Sequence, residues 1–126
     1  MKKLLLIGNP SVLGKNLENI LKQNYDTDFI STVPKQIGSI PFNSYNALLL
    51  DFTLLHNYSL TISKTAKQCY PNIIVLFLCP TNIPEQIILD LYESGADDPI
   101  LRICRWTADS KQLYFFTGKI REKFLL

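Results

Sequence analysis

Metal-binding side chains are scarce in this chain: His56 is its single histidine, and its three cysteines, Cys69, Cys79 and Cys104, include no C-x-x-C pair. A structural zinc site needs several thiolates or imidazoles at close spacing, so that class is set aside. An odd number of cysteines, far apart and in or beside apolar segments, makes no disulfide framework; they are expected to be reduced thiols of the core. Charge of one sign is also lacking, since Lys+Arg 13 against Asp+Glu 11 leaves a net +2 with 19% charged residues. Such a balance is that of a soluble globular chain and names no partner. Long hydrophobic runs are absent too. The opening "MKKLLLIG" imitates a signal peptide, but its apolar stretch, Leu4 to Ile7, is ended by Gly8-Asn9-Pro10 at about half the length a secretory core needs. No other run approaches the roughly 18 residues that span a bilayer. The expected location is the cytoplasm.

What is present is an alternation. The chain has 126 residues, 47% of them apolar, enough for one domain over residues 1–126 with a substantial core. Short apolar runs recur as "KLLLIG" (3–8), "DFIST" (28–32), "ALLLDF" (47–52), "NIIVLFLC" (72–79) and "PILRIC" (99–104), and each is a strand candidate. Those at 4–7 and 73–78 are apolar without alternation, as strands covered on both faces are, which implies a parallel sheet between helix layers. Between them lie helical stripes: Leu13, Leu17, Ile20 and Leu21 behind a capping Asn9 and Pro10; Ile62, Ala66, Cys69 and Tyr70 closed by Pro71; Ile87, Ile88, Leu91 and Tyr92 closed by Gly95; and Leu113, Phe116, Ile120 and Phe124. The segment 34–45 holds Gly38 and Pro41 and is expected to form a short or broken helix. Five strands alternating with five helices predict right-handed β-α-β crossovers and an α/β fold of three layers, with helices on both faces of the sheet. Ligands of such sheets bind at the carboxyl ends of the strands, and this edge collects Gly8, Asn9, Asp51, Thr53, Thr81 and Arg102.

The turn in "LLLIGNPSVLGKNL" (4–17) admits more than one reading. As a dinucleotide fingerprint, Gly8-x-x-Ser11-x-x-Gly14 has serine where a glycine must let the backbone approach a pyrophosphate, and the second strand ends in Ser31-Thr32 rather than in an acid. As a phosphate loop, Gly8 to Gly14-Lys15 is one residue too long, and Lys15 is followed by Asn16 instead of a Ser or Thr. A small phosphate- or nucleotide-binding protein using the amides of Gly8 to Ser11 stays open.

The whole chain resembles the receiver domain of response regulators in two-component signalling. The resemblance rests on "ALLLDF", with Asp51 closing the third strand, on "LYESGADD" (91–98) between the fourth helix and fifth strand, and on "NPSVLGKNLENIL" as the first helix. It implies a flavodoxin-like fold with a five-stranded parallel sheet of order 2-1-3-4-5, non-enzymatic, in an atypical member of the family. In that family an aspartate at the end of the third strand takes a phosphoryl group with the help of magnesium, a role the resemblance puts on Asp51. The two acids that hold the ion align with Gly8 and Asn9, and the backbone carbonyl beside them with Thr53. Magnesium is usually held through one or two carboxylates plus water, so its binding here is expected to be weak or absent, with no cofactor. The family's lysine aligns with Arg102, its following proline with Ile103, its hydroxyl with Thr81 or Pro80, and its aromatic switch residue with Pro99. Arg keeps the charge but is planar and longer than Lys. Arg102, at a neighbouring strand end, is placed to pair with Asp51 and hold one state. Asp51 also has a plain structural role open to it, capping the turn that follows. Two functions are carried forward: a receiver impaired in or without phosphorylation, working through protein contacts, and a working phosphoacceptor of a phosphorelay.

The family's partner surface, built from the fourth helix, fifth strand and fifth helix, would comprise Tyr92, Arg102, Arg105, Trp106, Tyr114 and Phe115, in keeping with the enrichment of aromatic residues and Arg at interfaces. The expected partner is a signalling protein (a kinase, an output domain or another regulator) or a second copy. No membrane or nucleic-acid contact is expected: Lys119, Arg121 and Lys123 complement the dipole of the last helix, and His56 reads as a solvated loop residue.

Overall fold

The computed structural model describes residues 3–8, 19, 22–23, 25–80, 84–95 and 98–103, the last six and residue 80 through their backbone. Five strands, β1 (Lys3–Ile7), β2 (Asp26–Ile30), β3 (Ala47–Asp51), β4 (Ile74–Pro80) and β5 (Asp98–Ile103), form one parallel sheet of order β2-β1-β3-β4-β5. This is the expected order, with β2, β4 and β5 displaced along the chain by one or two residues.

The two central strands and β4 are apolar at successive positions because both their faces are covered. Leu5, Ile7, Leu48, Leu50, Val75, Phe77 and Cys79 belong to one buried cluster, and the alternating partners Leu4, Leu6, Leu49, Leu76 and Leu78 are equally buried. Each buried Leu or Ile contributes about 1.5–3 kcal/mol by leaving water. The edge strand β2, Asp-Thr-Asp-Phe-Ile, carries no buried residue, as fits a strand with one open side. Residues 19, 22 and 23 are helical, and the Lys22 ammonium lies 5.3 Å from the centre of the Phe29 ring on β2. The rest of the predicted first-helix stripe, Leu13, Leu17, Ile20 and Leu21, lies outside the described residues, as does the whole stretch for which a last helix is predicted.

The segment expected to be a broken helix forms two separate 3-10 turns, Ile37–Ser39 and Phe42–Ser44. Pro41 stands between them, and a proline cannot donate the bond that would fuse them. The helix Tyr58–Cys69 buries Ser59, Ile62, Ser63 and Ala66, a stripe spaced 0, 3, 4 and 7. This corrects one expectation: Cys69 is exposed rather than a core thiol, while Cys79 is buried. Cys69 ends the helix one position before the stripe would recur, and Pro71 and Asn72 then turn the chain back to β4. Two serines take the place of apolar residues in the stripe because each has an acceptor. The Ser59 hydroxyl donates to the His56 carbonyl (2.6 Å), and that of Ser63 to the Ser94 carbonyl (3.1 Å). The second bond ties this helix to the end of the helix Glu85–Glu93, which Gly95 closes at φ 107, a conformation that favours glycine.

Between Leu76 and Leu78 of β4, β5 runs from Asp98 to Leu101, one residue more, so the register shifts across Pro99. An edge strand and an irregularity in the ladder are where proline is tolerated.

Candidate functional site

The parallel register brings the carboxyl ends of the strands to one edge. Ile7 stands opposite Leu50, which sets Gly8 beside Asp51, and Gly8 is fixed there by its N–H to the Ile30 carbonyl (2.9 Å). Asp51 is 2% exposed. Its carboxylate Oδ1 accepts the N–H of Thr53 at 3.0 Å and so caps the short helix Phe52–Leu55. The capping role open to Asp51 is therefore realised. The helix itself departs from the expected boundary, which carried the strand on to Phe52; the signal for it was an Asp directly before four residues able to make one turn.

Gly8 and Asp51 are in close contact. A Cβ added at Gly8 would lie 2.4 Å from Asp51 Cβ, 3.1 Å from Oδ2 and 3.3 Å from Cγ. Since φ of Gly8 is not positive, lack of space and not backbone conformation demands a glycine there. Past the capped turn, His56 takes φ 48, ψ −135, a strained conformation for a residue with a side chain. It is exposed, as expected, with its ring edge-on to Phe52 at 6.0 Å between centroids. Its carbonyl accepts both the Ser59 hydroxyl and the Ser59 N–H (3.1 Å).

Solved structures resemble this chain over nearly its full length. A two-component response regulator from Clostridium difficile is 20% identical with a TM-score of 0.75, covering 98% of this chain and 96% of its own. The non-phosphorylated HemR receiver domain from Leptospira biflexa is 18% identical with a TM-score of 0.75, covering 100% and 96%. An orphan response regulator of H. pylori is 20% identical with a TM-score of 0.72, covering 97% and 95%. The chain has the receiver fold. No family model and no curated protein matches the sequence.

On the receiver fold, the edge that carries Asp51 is where the resemblance assigns the phosphoacceptor, with Gly8 in place of one ion-holding acid. Among the described residues at this edge, the Asp51 carboxylate already holds a backbone N–H and stands beside a residue without a side chain. Among the described residues no group of three or more His, Cys, Asp or Glu could hold a metal ion. Thr53 is exposed, and the part of it on Asp51 is its N–H. Asn9 and Thr81 lie outside the described residues, and Pro80 is the last residue of β4. Arg102 stands opposite Cys79, while Asp51 stands opposite Leu78. Their strand ends are thus not adjacent: β4 lies between them, ~10 Å across two strand spacings.

Of the predicted partner surface, Tyr92 is 41% exposed, at the rim of the stripe formed by Ile87, Ile88 and Leu91. Arg105, Trp106, Tyr114 and Phe115 lie outside the described residues, as do Cys104, Lys119, Arg121 and Lys123. The structure adds a residue that the sequence reading passed over: Leu89, three positions before Tyr92, is 54% exposed. The available signal was an apolar residue off the buried stripe of its own helix. No helix among the described residues is long and apolar enough to cross a membrane.

Proposed function

We propose that the chain is a receiver-type signalling module, not an enzyme, which acts through protein–protein contact with phosphorylation of Asp51 impaired or absent. The observation that carries this reading is Asp51 at the end of β3 in a receiver fold, buried, capping the next helix, and packed on a glycine where the resemblance expects an acid. A carboxylate attacking a phosphoryl group sets anion against anion, and without a bound cation that repulsion is not offset. Magnesium binding is accordingly weak or absent, and no other cofactor is needed. The partner is a signalling protein (a kinase, an output domain or another regulator) or a second copy of the chain, met in the cytoplasm through the helix Glu85–Glu93, β5 and the segment after it. Leu89 and Tyr92, exposed on one side of that helix, support this face.

The test is direct. The protein is incubated with magnesium and a small acyl phosphate, and its intact mass is measured. No mass gain is expected; a phosphoryl gain that disappears in Asp51→Asn would establish the phosphorelay reading instead.

A further inference from the structure

We propose that Gly8 and Asp51 form a structural clasp in the volume an ion-holding pocket would need, so that an acid at position 8 and Asp51 in its present place exclude one another. The proposal deepens the reading above and rests on it for assigning position 8 to an ion-holding acid; the packing stands on geometry alone. A Cβ is set by the backbone, so a separation of only 2.4 Å between a Cβ at position 8 and Asp51 Cβ cannot be relieved by turning either side chain. It requires β1 and β3 to move apart. Both are held: Gly8 by its bond to Ile30 on β2, and β1 to β3 by register pairs from Leu4↔Ala47 to Ile7↔Leu50 between strands buried on both faces. Asp51 is held in turn by the N–H of Thr53, since swinging the carboxylate away would uncap the helix Phe52–Leu55. Loss of a side chain at position 8 and insertion of Asp51 are therefore one structural feature, and replacing the acid does not rebuild an ion site.

A double-mutant cycle reads the clasp. Gly8→Ala is expected to lower Tm by roughly 10 °C, the effect of overpacking a tight junction. In the Asp51→Gly background the same change should have almost no effect, because the opposing Cβ is gone. If Gly8→Ala alone does not fold, recovery of a cooperative transition in the double variant carries the same information. In a second arm, the Tm of Gly8→Asp is followed with millimolar magnesium chloride, and no magnesium-dependent rise is expected. An unchanged Tm in Gly8→Ala, an equal loss in both backgrounds, or a magnesium-dependent rise in Gly8→Asp would overturn the proposal. A mass gain on the wild-type protein with the coupling intact overturns the phosphorylation reading alone, whereas no mass gain with no coupling overturns the clasp alone.

Discussion

The two ends of β3 carry similar short polar residues used in opposite ways. At the start, Asn46 is exposed and joins three strands: its side-chain oxygen accepts the Lys3 N–H (2.8 Å), its N–H donates to the Lys3 carbonyl (2.9 Å), and its carbonyl accepts the Ile74 N–H (3.1 Å). At the finish, Asp51 is buried, caps a helix and fills the space beside Gly8. A hydrogen bond beside water competes with water and is worth little net; a buried charged cap in a tight junction leaves an unsatisfied group or a clash when altered. The starting edge is therefore expected to tolerate change, and the finishing edge to resist it.

The strongest way to break this comparison is Gly8→Ala, expected to cost about 3 kcal/mol in urea unfolding, at the upper end for overpacking. Next is Asp51→Ala, expected to cost about 2 kcal/mol by removing a cap and stranding the Thr53 N–H. Asp51→Asn keeps an acceptor and should recover most of that loss. Asn46→Ala, at the other end, should cost about 1 kcal/mol or less by the same measurement. Equal losses at Asn46 and Asp51 would erase the distinction.

Two smaller effects sharpen it. His56→Gly removes the positive-φ strain in the turn beyond Asp51 and should raise the urea midpoint, gaining about 0.5 kcal/mol after the added freedom of the unfolded chain. Beside Asn46, burial pushes the Tyr45 hydroxyl up to about 12 from 10.0, aided by its hydrogen bond to Asp28 (2.7 Å) and by the charges of Asp28 and Asp26. The folded state thus holds this proton more tightly than the unfolded chain. The resulting stability is fully present below pH 10, the unfolded value, and is lost as pH rises toward 12. Tyr45→Phe should remove that part of the alkaline loss, read as a smaller fall in Tm between pH 9 and 11 (roughly the range where tyrosine begins to ionise).

The fold was legible because its signals are local. Continuous apolar runs marked β1, β3 and β4, 3.6-residue stripes marked the helices Tyr58–Cys69 and Glu85–Glu93, and Gly38 with Pro41 marked the broken segment. The reading failed where a residue's fate depends on what lies opposite. Cys69 satisfied the helical spacing yet ended beyond the packed stripe, and Leu89 was passed over although its position left it facing water. At the site, Asp51 was recognisable as a strand-end acid and a cap, but its contact with Gly8 was not.

Alternation of strands and helices, with apolar runs long enough only for a two-sided sheet, is enough to determine the α/β architecture, since hydrophobic period and turn residues act over neighbouring positions. Which residues meet at the carboxyl edge was decided by register and strand order. These put Gly8 against Asp51 from chain segments 43 positions apart, and set β4 between Asp51 and Arg102. A period of two assigns a residue to a face of the sheet, but only the packed strands determine its neighbour on that face and how much room remains between them.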